Sequence, residues 1–147
     1  MNQILTARPH QLHLVFSKFA ERTEDGTLYA GTSPATGQEM YVAPCDELLI
    51  KGWGSGVDSQ HAIHIAETKA AHGHQDWRLP TVTEFLQIYN RRHHNGLQGT
   101  FNATSAARAG GYWCRHDSTG DICRVSSGSV MKVSGGGQSA AVRLVRG

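Results

Sequence analysis

Between Asp58 and Gly96 two helical signals stand in tandem, and no other stretch restricts the fold as much. Asp58 or Ser59 can cap a helix reaching Ala70, because Ala62, Ile65, Ala66 and Ala70 recur at the spacing of one helical face. Gly73 then offers a left-handed stop. A second helix is expected just after Pro80. Thr81 can cap it, Glu84 stands three residues on as in a capping box, and Phe85, Leu86, Ile88 and Tyr89 form its apolar side. It should end near Asn95 and Gly96, with Arg91, Arg92, His93 and His94 complementing the negative end of the helix dipole. Only Trp77-Arg78-Leu79-Pro80 joins the two. A parallel α/β layout requires a strand between successive helices, so that class is excluded.

Strand signals flank this pair on both sides. Leu12, Leu14 and Phe16 alternate with polar residues between Gln11 and Phe19, which is the period of a half-buried strand. Glu24 to Thr27 reads as a turn, Leu28-Tyr29-Ala30 as a return strand broken by the glycines at 31 and 37, and Met40-Tyr41-Val42-Ala43 as another short strand. The apolar run from Leu48 passes into Gly52, Gly54 and Gly56, so a strand should lead into a flexible connection. Beyond Gly99 the helical period disappears. Tyr112-Trp113-Cys114, Ile122 to Val125, Ser129 to Val133 and Ala141 to Val145 are expected to form an antiparallel meander, with Gly135-Gly136-Gly137 at a hairpin tip. The fold class is therefore α+β, with two helices packed on antiparallel sheet.

Composition narrows function more than fold. The chain has 147 residues, which suits one domain with a core of its own. Its 17 glycines and 39% hydrophobic content suit a loop-rich globular protein. Fourteen Lys plus Arg against twelve Asp plus Glu leave only +2, spread along the chain, so nucleic acid is not an expected partner. No apolar stretch is long enough for a bilayer, and residues 1–10 lack a charged region followed by an apolar core. The expectation is thus no membrane partner and no signal peptide, with the product cytoplasmic as synthesised or virion-associated. Cys45, Cys114 and Cys123 include no Cys-x-x-Cys pair, and reduced, half-buried thiols are expected. A Cys114–Cys123 bridge stays open in an oxidising compartment.

A longer motif carries a family resemblance. The segment His72-Gly73-His74-Gln75-Asp76-Trp77-Arg78-Leu79-Pro80-Thr81-Val82-Thr83-Glu84-Phe85 resembles the Gly-x-x-Asp-Trp-Arg-Leu-Pro-Thr-x-x-Glu-Leu signature of the collagen-like adhesin (Lcl) C-terminal domain family of bacteria and phages. Gly111-Tyr112-Trp113-Cys114, Ser126-Ser127-Gly128-Ser129-Val130 and Val142-Arg143-Leu144-Val145-Arg146-Gly147 are similar to later family motifs and follow in the same order. The resemblance spans roughly residues 57–147, with a weaker echo at 35–44, and leaves residues 1–30 uncovered. It implies a C-type-lectin-like fold whose members bind ligands through loops and strands on one face. Cys114-Arg115 stands where the family has paired serines, and Leu144 where it often has cysteine.

Chemistry is sparsely signalled. His61 and His64 lack a third ligand in register, and His72, His74, His93 and His94 fall in loops, so no metal and no cofactor is expected. A site made by His72, His74 and His93 requires the second helix to double back. Asn102, Asp117 and Asp121 are too few oxygen ligands for calcium-dependent sugar binding. His116 beside Cys114 reads as chance proximity rather than a nucleophile and its base, so no enzyme is expected. Trp77, Arg78, Glu84 and Trp113 read as fold determinants: aromatic anchors and a planar guanidinium suited to carbonyls or a carboxylate.

What remains is recognition. Tyr, Trp and Arg supply most interface energy from few positions. The densest set is Tyr112, Trp113, Arg115, His116, Asp117 and Arg124, with Trp113 the member expected inside and Arg115, His116 and Asp117 the core of the site. The functional expectation is a non-enzymatic module that binds a protein or glycan ligand, in phage or bacterial surface recognition as the resemblance implies. Two rivals fit the same features. One is a virion or tail-fibre component that forms a homo-oligomer through residues 1–30, and the other is an intracellular inhibitor of a host protein.

Overall fold

The computed structural model describes residues 19–47, 58–101, 111–126, 129–132 and 140–147. The expected strand over 11–18, the 48–57 run, Asn102 and the glycine tip at 135–137 lie outside the described residues. So do positions 1–18 of the proposed assembly segment.

The described architecture is mixed α+β, with two helices and two three-stranded antiparallel sheets. Helix α1 (Ser59–Thr68) starts where Asp58 accepts a hydrogen bond from the His61 amide at 2.8 Å. It stops two residues short of Ala70. Gly73 is left-handed, at φ +79°, but it serves a tight turn from Ala71 to His74 rather than the helix end. That turn lets the Trp77 indole donate to the Ala71 carbonyl at 3.1 Å.

Helix α2 (Val82–Tyr89) carries the expected capping box. Thr81 accepts from the Glu84 amide at 3.2 Å while Glu84 accepts from the Thr81 amide at 2.8 Å. The helix ends at Tyr89 and not near Gly96. From Asn90 to His94 the sequence offers nothing apolar to bury, and the chain leaves through single turns into a 3₁₀ turn at Asn95–Leu97. Arg92 caps the exit, donating to the Tyr89 carbonyl at 3.0 Å.

The first sheet joins β1 (Leu28–Thr32), β2 (Glu39–Val42) and β6 (Val145–Arg146) in the order β1-β2-β6. Gly31, at φ +82°, takes up the register shift between Tyr29 and Thr32 that twists β1. The second sheet is a meander of β3 (Tyr112–Arg115), β4 (Ile122–Ser126) and β5 (Ser129–Lys132). The expected fourth meander strand does not belong to it. Residues 140–145 are all buried, with no exposed edge to alternate. They bridge Tyr112 at Ala141 and Arg78 at Val145, and then β6 closes the other sheet beside β2.

Helix α2 lies between the sheets. Its Ile88 packs with Leu28, Ala30, Met40, Val42 and Val145, while Val82 and Phe85 pack with Tyr112, Cys114, Cys123 and Val125. Strand alternation turns Trp113 the opposite way, into Ala62 and Ala66 of α1 and into Trp77, Leu79, Val142 and Leu144. Strand β3 is thus buried on both faces, and truncating Trp113 to alanine should cost about 3–5 kcal/mol.

Glu84 ties the parts together. Its side chain is 0% exposed and accepts both arms of the Arg78 guanidinium, at 2.7 and 2.8 Å, together with the Ser33 hydroxyl. Arg78 also donates to the Gly147 carbonyl at 2.8 Å. One planar fork therefore joins the inter-helix link, helix α2 and the strand that closes the first sheet, while Ser33 brings in the β1–β2 connection.

Candidate functional site

Period-two alternation sorts the first sheet into two faces. Leu28, Ala30, Met40, Val42 and Val145 take the buried one. Tyr29, Tyr41 and Arg146 fall on the other, and the register pairs them directly: Tyr29 opposite Tyr41, and Tyr41 opposite Arg146. The two tyrosine rings meet edge to face, centroids 5.7 Å apart at 65°. The Arg146 guanidinium lies 5.1 Å from the Tyr41 ring centre and its Nε donates to Asp76 at 3.3 Å.

A turn over residues 21–25 and the His74 ring wall this row in, leaving an open cleft of about 580 Å³. Asp25 builds the wall. Its Oδ1 accepts from the Thr23 and Thr27 hydroxyls, both at 2.6 Å, and from the Thr27 amide at 3.0 Å. Its Oδ2 meets His74 Nε2 at 2.7 Å, and its carbonyl meets His72 Nδ1 at 2.9 Å. The hydroxyls of Thr23 and Thr27, with His74 adding to them, hold the Asp25 carboxyl far below the usual carboxylate range. His72 and His74 thus clamp a turn instead of making a metal site with His93. Among the described residues no cluster of three metal-ligating side chains occurs.

Several polar groups in the cleft are left without partners among the described residues: the Tyr29 hydroxyl and the Glu21 and Glu24 carboxylates. Burial, and secondly the nearby Glu39, push both tyrosine hydroxyls up, so they stay protonated donors at neutral pH. Tyr29 is 8% exposed, and what it shows is turned to the cleft. Arg22 lies on the rim, with Nη1 donating to the Gly26 carbonyl at 3.0 Å.

The residues expected to bind a partner are distributed otherwise. Tyr112 and Trp113 are both buried, which takes them off any recognition surface; each supports the core from one face of β3. Arg115 is half-buried and donates to the Gly120 carbonyl at 3.2 Å. Asp117 is exposed, yet it accepts from the Thr83 hydroxyl at 2.8 Å and so braces the first turn of α2. His116 accepts from the Ser118 hydroxyl, and Arg124 is half-buried on the face of β4 that Trp113 shares on β3. Arg115, His116 and Asp117 do come together on one turn, whose hydrogen bonds hold the fold in place.

No family model matches the chain. Neither does any curated protein.

Two of the three thiols are shielded from solvent. Cys114 and Cys123 sit opposite each other across β3 and β4, both buried and both free. Burial pushes Cys114 well up and Cys123 up as well, which keeps them from the thiolate form. His116 is exposed and engaged with Ser118, and Cys114 lies in the core beneath α2. No helix among the described residues is long and apolar enough to cross a membrane.

Sequence reasoning missed Tyr29, Tyr41 and Arg146. The signal was present, because Leu28-Tyr29-Ala30 and Met40-Tyr41-Val42 each place one tyrosine on the face opposite two apolar neighbours. The pairing of the two strands in register, which sets the tyrosines side by side, is a long-range fact. A buried ion pair was also hidden: Arg143, 1% exposed, meets Asp46 at 3.1 Å, donates to the Thr100 carbonyl at 2.8 Å and lies over the Phe101 ring.

Proposed function

We propose that this protein is a non-enzymatic binding module with a C-type-lectin-like fold, and that its ligand enters the cleft over Tyr29, Tyr41 and Arg146. The reading is carried by one contrast. The Arg78–Glu84 fork and the Asp25–His74 contact are matched within the fold. In the cleft a tyrosine hydroxyl and two carboxylates are left facing solvent beside an aromatic floor. Concave sites with aromatic walls and a few convergent polar groups are the usual form of ligand sites. The burial of Cys114 and Cys123 argues against covalent chemistry at that pair. The resemblance to the collagen-like adhesin C-terminal domains supports a setting at a bacterial surface or on a phage particle.

The test compares two paired variants for retention on a panel of bacterial envelopes. Tyr41→Ala with Arg146→Ala should weaken retention at least tenfold, about 1.4 kcal/mol. His116→Ala with Asp117→Ala should leave retention within about twofold once folding is matched. The reverse pattern moves the site to the 116–121 turn and overturns this reading.

A further inference from the structure

We infer that the cleft over Tyr29 and Tyr41 takes lysine or arginine side chains from an extended segment of a partner protein, which rests on the reading of that cleft as the ligand site. Charge selects this class. Glu21, Glu24 and Asp25 line the opening. Glu39 adds a carboxylate beside the floor, where it accepts from the Tyr41 hydroxyl at 3.3 Å, and Asp76 adds another, accepting from Arg146 at 3.3 Å. Against these five carboxylates the lining sets two guanidinium groups, those of Arg22 and Arg146. Arg146 is engaged by Asp76 and by the Tyr41 ring, and Arg22 in part by the Gly26 carbonyl. Counting His72 and His74 as charged still leaves the carboxylates in excess. Like charge turns a polyanion away, and a neutral ligand leaves the surplus charge unanswered.

A second observation is independent of the acidic side chains. Tyr29 is 8% exposed, its hydroxyl has no hydrogen-bond partner among the described residues, and the part it shows is turned to the cleft. Buried polar groups are nearly always paired, so a hydroxyl placed this way calls for a ligand group. An ammonium or guanidinium brings donors alone. The Tyr29 oxygen can accept one of them, Glu21 and Glu24 can accept from the turn, and Glu39 keeps the oxygen that Tyr41 does not use. Charge-assisted hydrogen bonds of that kind are the strong ones. The half-buried Tyr41 ring adds a negative face, and the Arg146 guanidinium, 5.1 Å from its centre, shows a cation already settled there. A polypeptide fits better than a free amine. Arg22 sits on the rim with donors beyond the one on Gly26, and peptide carbonyls answer them where an amine cannot. In an extended segment alternate side chains also point the same way, about 7 Å apart, so that two basic residues can face one opening of about 580 Å³.

The full chain is titrated by ¹⁵N-edited NMR at low salt with probes at up to about 10 mM, the range of weak affinity. Four are capped pentapeptides in which Lys, Arg, Ser or Glu alternates with Gly, and the fifth is spermidine. The Lys and Arg peptides should shift the amides of residues 21–25, 29, 39 and 41. Raising the salt from about 20 to about 200 mM should weaken that binding about fivefold, because screening shortens the reach of exposed charges. Glu21→Gln with Glu24→Gln should weaken it about tenfold and Glu39→Gln about threefold, with the rest of the spectrum unchanged. Tyr29→Phe, which keeps the packing, should weaken it about threefold by removing one acceptor. Basic peptides that bind elsewhere, or equally well in the glutamine variants, overturn the assignment. Stronger cleft shifts with the Ser or Glu peptide overturn it too, and leave the cleft standing as the site. Spermidine that binds as tightly as the Lys peptide overturns the protein source. No shift with any probe overturns the assignment, and the envelope experiment decides the cleft separately.

Discussion

Replacing Glu84 with alanine removes the group on which the inter-helix link, helix α2 and the β1–β2 connection converge. In the native fold it accepts from Arg78 twice, from the Ser33 hydroxyl and from the Thr81 amide. Removing one partner of a buried ion pair costs about 3–5 kcal/mol. The Arg78 side chain keeps 32% of its surface, so water recovers part of its charge and the lower end, about 3 kcal/mol, applies. For a chain of this length that is a fall in Tm of roughly 6–12 °C. Urea unfolding at neutral pH, followed by tryptophan fluorescence, measures it directly. Glu84→Gln keeps the volume and one acceptor and should lose about 1–2 kcal/mol.

The same residue sets an acid limb. Burial raises the Glu84 carboxyl, but hydrogen bonds from Arg78, Ser33 and Thr81 outweigh it and leave its pKa below the ordinary 4.5. A depressed folded pKa means stability that is complete above the unfolded value and is lost as pH falls through the folded one. Wild type should therefore lose stability below about pH 4.5, and Glu84→Gln should show a flatter limb there. A Glu84→Ala loss under about 0.5 kcal/mol refutes the reasoning, because that is the range of surface substitutions.

Further outcomes follow from other contacts. Cys45 is exposed while Cys114 and Cys123 are buried, so a thiol reagent on the native, reduced protein should label one cysteine quickly and the other two only in denaturant. His74→Ala should speed amide exchange at Thr27, whose N–H is held by Asp25, and should cost under about 1 kcal/mol in global stability because the pair is partly exposed. Arg143→Met should destabilise by about 3–5 kcal/mol in urea unfolding, and part of that loss should return when Asp46→Leu is added.

Local chemistry made the helices legible. Asp58, Thr81 and Glu84 each do at a helix start what their side chains are suited to do, so the starts of α1 and α2 could be read from a few residues. Helix ends were harder. Ala70 continues the apolar face of α1 and nothing at Thr68 forbids another turn, but the chain must reverse at Ala71–His74 to bring Trp77 inward. The last strand was misassigned for a similar reason. An all-buried run such as residues 140–145 has no polar face to show which sheet it joins, and the partner of Val145, at Val42, is about a hundred positions earlier. Trp113 was rightly expected inside, and Tyr112 wrongly outside: both neighbours are buried because β3 runs between two helices, a placement no period within β3 can express.

Mapping the bound state tests the central claim most directly. With any ligand that the chain retains, ¹⁵N-edited NMR should show the largest shifts at residues 21–25, Tyr29, Tyr41, His74 and Arg146, the lining of the cleft. Shifts concentrated instead on Arg115 to Asp121 contradict it.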